Sequence, residues 1–220
     1  MTSLENLINR DTLISSDPHF GDRKIYEYME KRINFIKNNN GQYLEHYMIN
    51  EMNKRSKETP LLILGDFAFK SIQTYGELIE GTKILLLGNH DKKSKEVYQN
   101  AGFDKLIIGI NISLHGLNFK ETDLNEVMLN CYIKDIDNVR IMFTHFPLFD
   151  DNKFDMKYNN VTERLEKIFK YFKCELNIHG HTHDKNAKES MCYNVSIEAT
   201  DFKIFSIGDI IDIYKKEKII

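Results

Sequence analysis

The stretch "LNIHGHTHD" (176–184) places His179, His181 and His183 at alternate positions, with Gly180 inside the triplet. Neutral imidazole is the commonest protein ligand for transition ions, and a glycine in a strand pattern marks a bend or a close approach of backbone. Four more stretches carry similar chemistry: "ISSDPHF" with Asp17 and His19, "LLILGDF" with Asp66, "LLLGNHD" with Asn89, His90 and Asp91, and "IMFTHFP" with His145. Each has an ordinary explanation by itself. "GD" is a common turn, "GNHD" suits a turn in which Asp91 caps the next helix, and "DPH" can start a helix. Their conjunction, each behind an apolar run, points to one polyvalent site.

The donor types narrow the chemistry. Imidazoles, carboxylates and an amide carbonyl without any thiolate favour divalent manganese, iron, zinc, cobalt or nickel over a cysteine-based structural zinc. Asp17, His19, Asp66, Asn89, His145, His181 and His183 make seven candidate ligands, too many for one ion. Two ions about 3.5–4 Å apart, sharing a carboxylate, would use them and leave positions for water and substrate, an arrangement that performs hydrolysis.

Such a site must be assembled by elements far apart in the chain. Apolar runs with strand character lie at 12–16, 61–64, 83–87, 105–114, 139–143, 176–178 and 192–197, several of them continuously apolar as covered strands are. A helix is expected after Gly21 with Asp22 as its cap, where Ile25, Tyr28, Met29, Arg32, Ile33 and Ile36 follow a 3.6-residue period to the "NNNG" stop. A second helix covers about 42–58, and shorter ones lie near 92–100, 160–173 and 207–218. Strands alternate with helices early and crowd together later, so the class is α/β (α+β) with covered sheets. The candidate ligands all follow strands, and open α/β sheets bind ligands beyond the carboxyl ends of their strands.

The five blocks resemble, in order, those of the calcineurin-like metallophosphoesterase superfamily: "DPH", "GD", "GNHD", a lone histidine in "TH", and "GHTH". The wording "LGDFAF" and the "HF" after "DP" look like its small single-domain branch in bacteria and their viruses. This resemblance implies a metallophosphoesterase-like four-layer sandwich of two mixed β-sheets flanked by helices, formed by residues 1–220 as a single domain. It also implies that Asp17, His19 and His183 hold one ion, that Asn89, His145 and His181 hold the other, and that Asp66 bridges. His90 would stand beside the metals as proton donor or transition-state stabiliser, oriented by Asp91, so that these two are the catalytic pair. The expected reaction is hydrolysis of a phosphodiester or phosphomonoester by hydroxide formed at two divalent ions, manganese first among them.

Two features depart from the family pattern. Asp22 stands where many relatives of this branch have a histidine, "HFGD" replacing HFGH, which bears on any substrate contact there. Pro18 separates two ligands and is expected to hold Asp17 extended, as suits a strand end. His179 precedes the GHxH pair and is read as structural or as a support for a ligand. His46, in a helix, and His115, in an "HG" turn, carry no motif and are read as structural.

Composition limits the alternatives. Apolar residues are 41% and charged residues 29% of 220, ordinary for a globular protein. A net charge of -3 and the absence of a long basic run give a nucleic-acid-coating role no support, although a nucleic acid substrate stays open. The start "MTSLENLINRDTLISS" lacks a secretory pattern and no apolar run reaches the roughly 18 residues that span a bilayer, so a cytoplasmic protein without a membrane partner is expected. Cys131, Cys174 and Cys192 have no paired spacing and read as free, buried thiols. The partner expected is a phosphate ester, a small molecule or nucleotide. The alternatives are a nuclease and a catalytically weak scaffold of the same fold, which would typically show a broken ligand set.

Overall fold

A computed structural model describes residues 3–39, 43–114, 117–121, 129–149, 156–185 and 190–218. In chain order the strands are β1 (Leu13–Ser15), β2 (Leu61–Ile63), β3 (Lys83–Leu86), β4 (Lys105–Ile107), β5 (Ile110–Leu114), β6 (Leu117–Glu121), β7 (Cys131–Ile136), β8 (Val139–Thr144), β9 (Leu176–His179), β10 (Cys192–Asn194) and β11 (Phe205–Ser206). The helices are α1 (Leu4–Leu7), α2 (Ile25–Tyr28), α3 (Glu30–Asn38), α4 (Leu44–Ser56), α5 (Ile72–Leu78), α6 (Lys95–Asn100), α7 (Met156–Tyr171) and α8 (Ile207–Glu217).

Two mixed sheets result, with strand orders β11-β1-β2-β3-β4 and β10-β9-β8-β7-β5-β6. In the first, β1 to β4 run parallel and β11 is antiparallel to β1. In the second, β8, β9 and β10 are mutually parallel, so the carboxyl end of β8 lies beside that of β9. Parallel strands put their outgoing loops at one end, which is what gathers the motifs.

Period-two alternation decides what each face meets. Ile14, Leu62, Leu64, Ile84 and Leu86 point inward and pack with Tyr132, Ile141, Phe143 and Ile178 of the second sheet, and with Ile207, Ile210 and Ile211 of α8. Leu13, Leu61, Ile63 and Leu85 point outward onto Met48, Ile49 and Met52 of α4. On the far side, Cys131, Ile133 and Met142 take Val161, Leu165 and Phe169 of α7. Each aliphatic side chain so removed from water stabilises the fold by about 1.5–3 kcal/mol. Helix, sheet, sheet and helix make the expected four layers.

Several elements differ from their sequence expectation. The run at 105–114 is not one strand: β4 closes the first sheet and β5 joins the second, and Gly109, at φ 72°, turns the chain between them. A run apolar throughout gives no sign of which sheet each half enters. The helix after Gly21 is two helices, broken at Met29 (φ −84°, ψ 97°), and Asp22 does not cap it: Lys24 is the N-cap, while Asp22 Oδ1 accepts from the Lys24 N–H. The break admits Arg32 to the interior, where it is completely buried. Strands β6, β7 and β11 lie outside the expected runs, and His115 lies outside the described residues. Among the described residues no helix is long and apolar enough to cross a membrane.

Candidate metal centre

The loops after β1 and β2 are zipped together by backbone bonds. Asp17 N–H donates to Gly65 O, His19 N–H to Asp66 O and Phe20 N–H to Phe67 O, so Asp17, His19 and Asp66 are carried as one unit. β3 delivers Asn89 and His90, while β8 and β9 deliver His145, His181 and His183 from the second sheet. All seven expected ligands converge. His19 Nε2 lies 3.8 Å from Asp17 Oδ1 and 3.6 Å from Asp66 Oδ2, and His145 Nε2 lies 3.5 Å from Asp66 Oδ2. Asn89 Oδ1 is 2.8 Å from His145 Nε2, and the ring centroids of His19 and His183, like those of His145 and His181, are 5.1 Å apart.

Among the described residues, two groups have ligand atoms close enough to share an ion: Asp17, His19 and His183, and Asp17, Asp66 and His145. The first is the set expected for one ion. The second joins Asp17 and the expected bridge Asp66 to His145, which was expected at the other ion.

Five of these side chains sit on strained backbone. Asp17, His19, Asp66, His181 and His183 have φ between 50° and 69°. Left-handed residues other than glycine cost about 1–3 kcal/mol each and persist only where the surroundings over-determine them. Pro18 therefore does not keep Asp17 extended: Arg32 donates from its two terminal nitrogens to Pro18 O and Asp17 O, and these bonds with the Gly65 contact outweigh the local preference.

Hydrogen bonds aim the donors. Asp17 Oδ2 accepts from the His181 N–H and the Ser196 hydroxyl, which leaves Oδ1 with no hydrogen-bond partner although buried. Both nitrogens of the buried His19 ring are likewise unpartnered. Buried polar atoms are normally satisfied, and Asp17 Oδ1 with His19 Nε2, 3.8 Å apart, could hold a cation between them. His145 Nδ1 lies 2.8 Å from Leu64 O, and its Nε2 faces the Asn89 carbonyl. Two acceptors around one ring require a proton at each nitrogen, or a cation in place of the proton at Nε2. Gly180 must be small, since a Cβ there would come within 2.0 Å of Ser16 Oγ and 2.4 Å of Asp17 Oδ2.

The electrostatics fit the same use. Burial lowers His19 to about 4 and His181 to about 3, so both rings are neutral at pH 7 and present lone pairs. Burial would raise Asp66, but the charge and hydrogen bond of His145 hold it far below the usual carboxylate range. His90 is half-exposed beside Phe69, its ring Nε2 3.9 Å from Asp66 Oδ2 and its backbone N–H on Asp66 Oδ1.

Asp91 was expected to orient the His90 ring, and its hydrogen bonds lead to backbone instead. Its buried carboxylate accepts from the N–H groups of Asp66, Phe67 and Gly88, so it fixes the loops that carry Asp66 and Asn89 rather than the His90 ring. Burial and the charge of Asp66 raise it to about 6. His179 is buried at the end of β9, with Nδ1 2.9 Å from Gly180 O, and His46 is exposed on α4. Asp22 Oδ2 reaches only to 3.9 Å from His19 Nδ1.

Sequence reasoning missed Arg32 and Glu198. Arg32 Nε donates to Glu198 Oε1 in the fully buried interior, and Glu198 Oε2 lies 3.1 Å from His183 Nδ1. A carboxylate on the far nitrogen of a ligand histidine fixes its tautomer and turns the other nitrogen to the ion. Burial would raise Glu198, but Arg32 and His183 leave it at about 2. The available signal was a charged residue in the apolar period of the helix after Gly21.

The profile of calcineurin-like phosphoesterases matches residues 11–185. Among solved structures, a protein of unknown function from Aquifex aeolicus superposes with a TM-score of 0.65 at 25% identity, over 92% of this chain and 98% of that one. A conserved uncharacterised protein from Streptococcus pneumoniae, described as a predicted phosphoesterase, gives 0.36 at 14% identity over 84% and 70% of the two chains. A novel archaeal phosphodiesterase gives 0.37 at 14% over 83% and 81%. No curated protein matches the chain.

Proposed function

We propose, from the premise that this chain belongs to the calcineurin-like phosphoesterase family, that it hydrolyses a phosphodiester or phosphomonoester at two divalent cations held by Asp17, His19, Asp66, Asn89, His145, His181 and His183. The observation that carries this reading is the pair of buried, unpartnered atoms Asp17 Oδ1 and His19 Nε2, 3.8 Å apart, with His19 Nε2 also 3.6 Å from Asp66 Oδ2. The donor set contains no thiolate and suits manganese first, with iron, zinc, nickel or cobalt as substitutes. Bound ions would supply the positive charge that draws ester oxygens in and acidifies water.

The chain's own residues do the rest. Asp66 offers one oxygen between the His19 and His145 rings and spends the other on the His90 N–H, so the ligand and the His90 loop are set by one carboxylate. His90, the one half-exposed ring of the cluster, is placed to give a proton to the departing oxygen. Glu198 and Arg32 hold His183 and the Asp17 turn. The substrate is a small molecule or nucleotide, and the protein works in the cytoplasm.

The test is elemental analysis of the purified protein alongside hydrolysis of bis-p-nitrophenyl phosphate and p-nitrophenyl phosphate, with and without manganese. Metal approaching two ions per chain with metal-dependent nitrophenolate release is the expected result. No metal uptake under any condition would overturn it.

A further inference from the structure

Gly21, two residues past His19, opens the wall of a cleft of about 730 Å3 that is also lined by Arg23, Tyr26, Glu45, Lys70 and Tyr75. Lys70 follows Phe69, whose half-exposed ring stacks on His19 at 5.4 Å and lies 4.8 Å from His90. The two wall segments touch, since a Cβ added at Gly21 would meet Lys70 O at 3.0 Å. The cleft and the metal centre therefore share a rim formed by residues 19–21 and 69–70.

The charge on the lining is unbalanced. Glu45 is its carboxylate, and both oxygens are committed: Oε1 accepts from the Gly21 N–H at 2.9 Å and Oε2 from the Tyr75 hydroxyl at 2.7 Å. Arg23 and Lys70 are exposed, and neither forms an ion pair with a described residue. Guanidinium and ammonium groups left this way bind phosphate oxygens through charge-assisted hydrogen bonds. Tyrosines supply the apolar wall. Tyr75 is backed by Phe20 at 4.8 Å and 12°, Tyr26 lies under Arg32, and Tyr43, also on the lining, is 71% exposed. Such rings give flat contact surface at low entropic cost, and stacking tolerates any nucleobase.

We infer that this cleft is a second subsite for the part of the substrate beyond the scissile ester, and that the substrate is a nucleoside carrying a second phosphate. The base lies against the tyrosines and the second phosphate sits between Arg23 and Lys70. The inference rests on the phosphate-ester reading of the neighbouring centre.

Two measurements test it on the metal-loaded protein and on an Arg23→Ala/Lys70→Ala variant, whose exposed positions spare the fold. Calorimetry with thymidine 3′,5′-bisphosphate should show about tenfold weaker binding in the variant, the loss expected for charge-assisted contacts. Steady-state kinetics should give wild type a lower KM for the 5′-p-nitrophenyl ester of that bisphosphate than for the ester lacking the 3′-phosphate, and the variant should lose this preference. Equal affinity in the two proteins would overturn the subsite. An affinity difference with no release of nitrophenolate from either ester would keep the subsite and remove the hydrolytic reading instead.

Discussion

Asp66 is where the centre is most exposed to a single change. Its Oδ2 stands 3.6 Å from His19 and 3.5 Å from His145, and 3.9 Å from His90, while Oδ1 holds the His90 backbone. Asp66→Ala should therefore lose bound metal and turnover together. His90→Ala should keep metal near the wild-type content and lose about 10²–10⁴-fold in turnover, the range for a positioned acid. Elemental analysis paired with nitrophenolate release separates the two, and wild-type turnover in His90→Ala would remove that residue from the mechanism. The ligand residues were legible because each follows an apolar strand and carries a side chain of one donor class. The role of Asp91 was not, because its partners are backbone N–H groups, and any sequence supplies those.

The elements that aim the ligands were less legible. Arg32 and Glu198 meet across 166 positions of sequence, one on α3 and the other in the loop past β10, and nothing local in either stretch names the partner. Tertiary pairing likewise split the apolar run at 105–114 between two sheets, whereas β2, β3, β8 and β9 were readable because continuous apolar runs suit covered strands. Arg32→Ala would strand the Glu198 carboxylate in the interior and release the Asp17 and Pro18 carbonyls. A loss of about 3–5 kcal/mol is expected for breaking one side of a buried pair, read from urea unfolding. Glu198→Gln keeps the shape but removes the charge behind His183, and metal affinity measured by chelator competition should fall about 10–100-fold. Unchanged affinity would confine Glu198 to a packing role.

The whole molecule carries its three cysteines, Cys131, Cys174 and Cys192, buried and outside any disulfide. Burial pushes the Cys131 and Cys174 thiols up to about 12 from an ordinary value of 9.0. Both are raised in the folded state, so the stability they contribute is complete below pH 9 and is lost as pH rises toward 12. Each thiol adds a slope of up to about 1.4 kcal/mol per pH unit in that window. Urea midpoints measured at pH 8 and at pH 10 should fall in that order, more shallowly in Cys131→Ala. Ellman's reagent at pH 8 should label the folded chain slowly and the unfolded chain at once. The two-sheet origin of the site has a kinetic side. Asp17, His19, Asp66 and Asn89 descend from one sheet and His145, His181 and His183 from the other, so no ion has its full coordination until both sheets have docked. A bound divalent ion would then act as a latch thrown after the rate-limiting step: stopped-flow refolding should run at the same speed with added manganese or with chelator, while the ion slows unfolding. A faster refolding limb with manganese would mean that the seam forms early, and that the ion helps to choose the fold as well as to keep it.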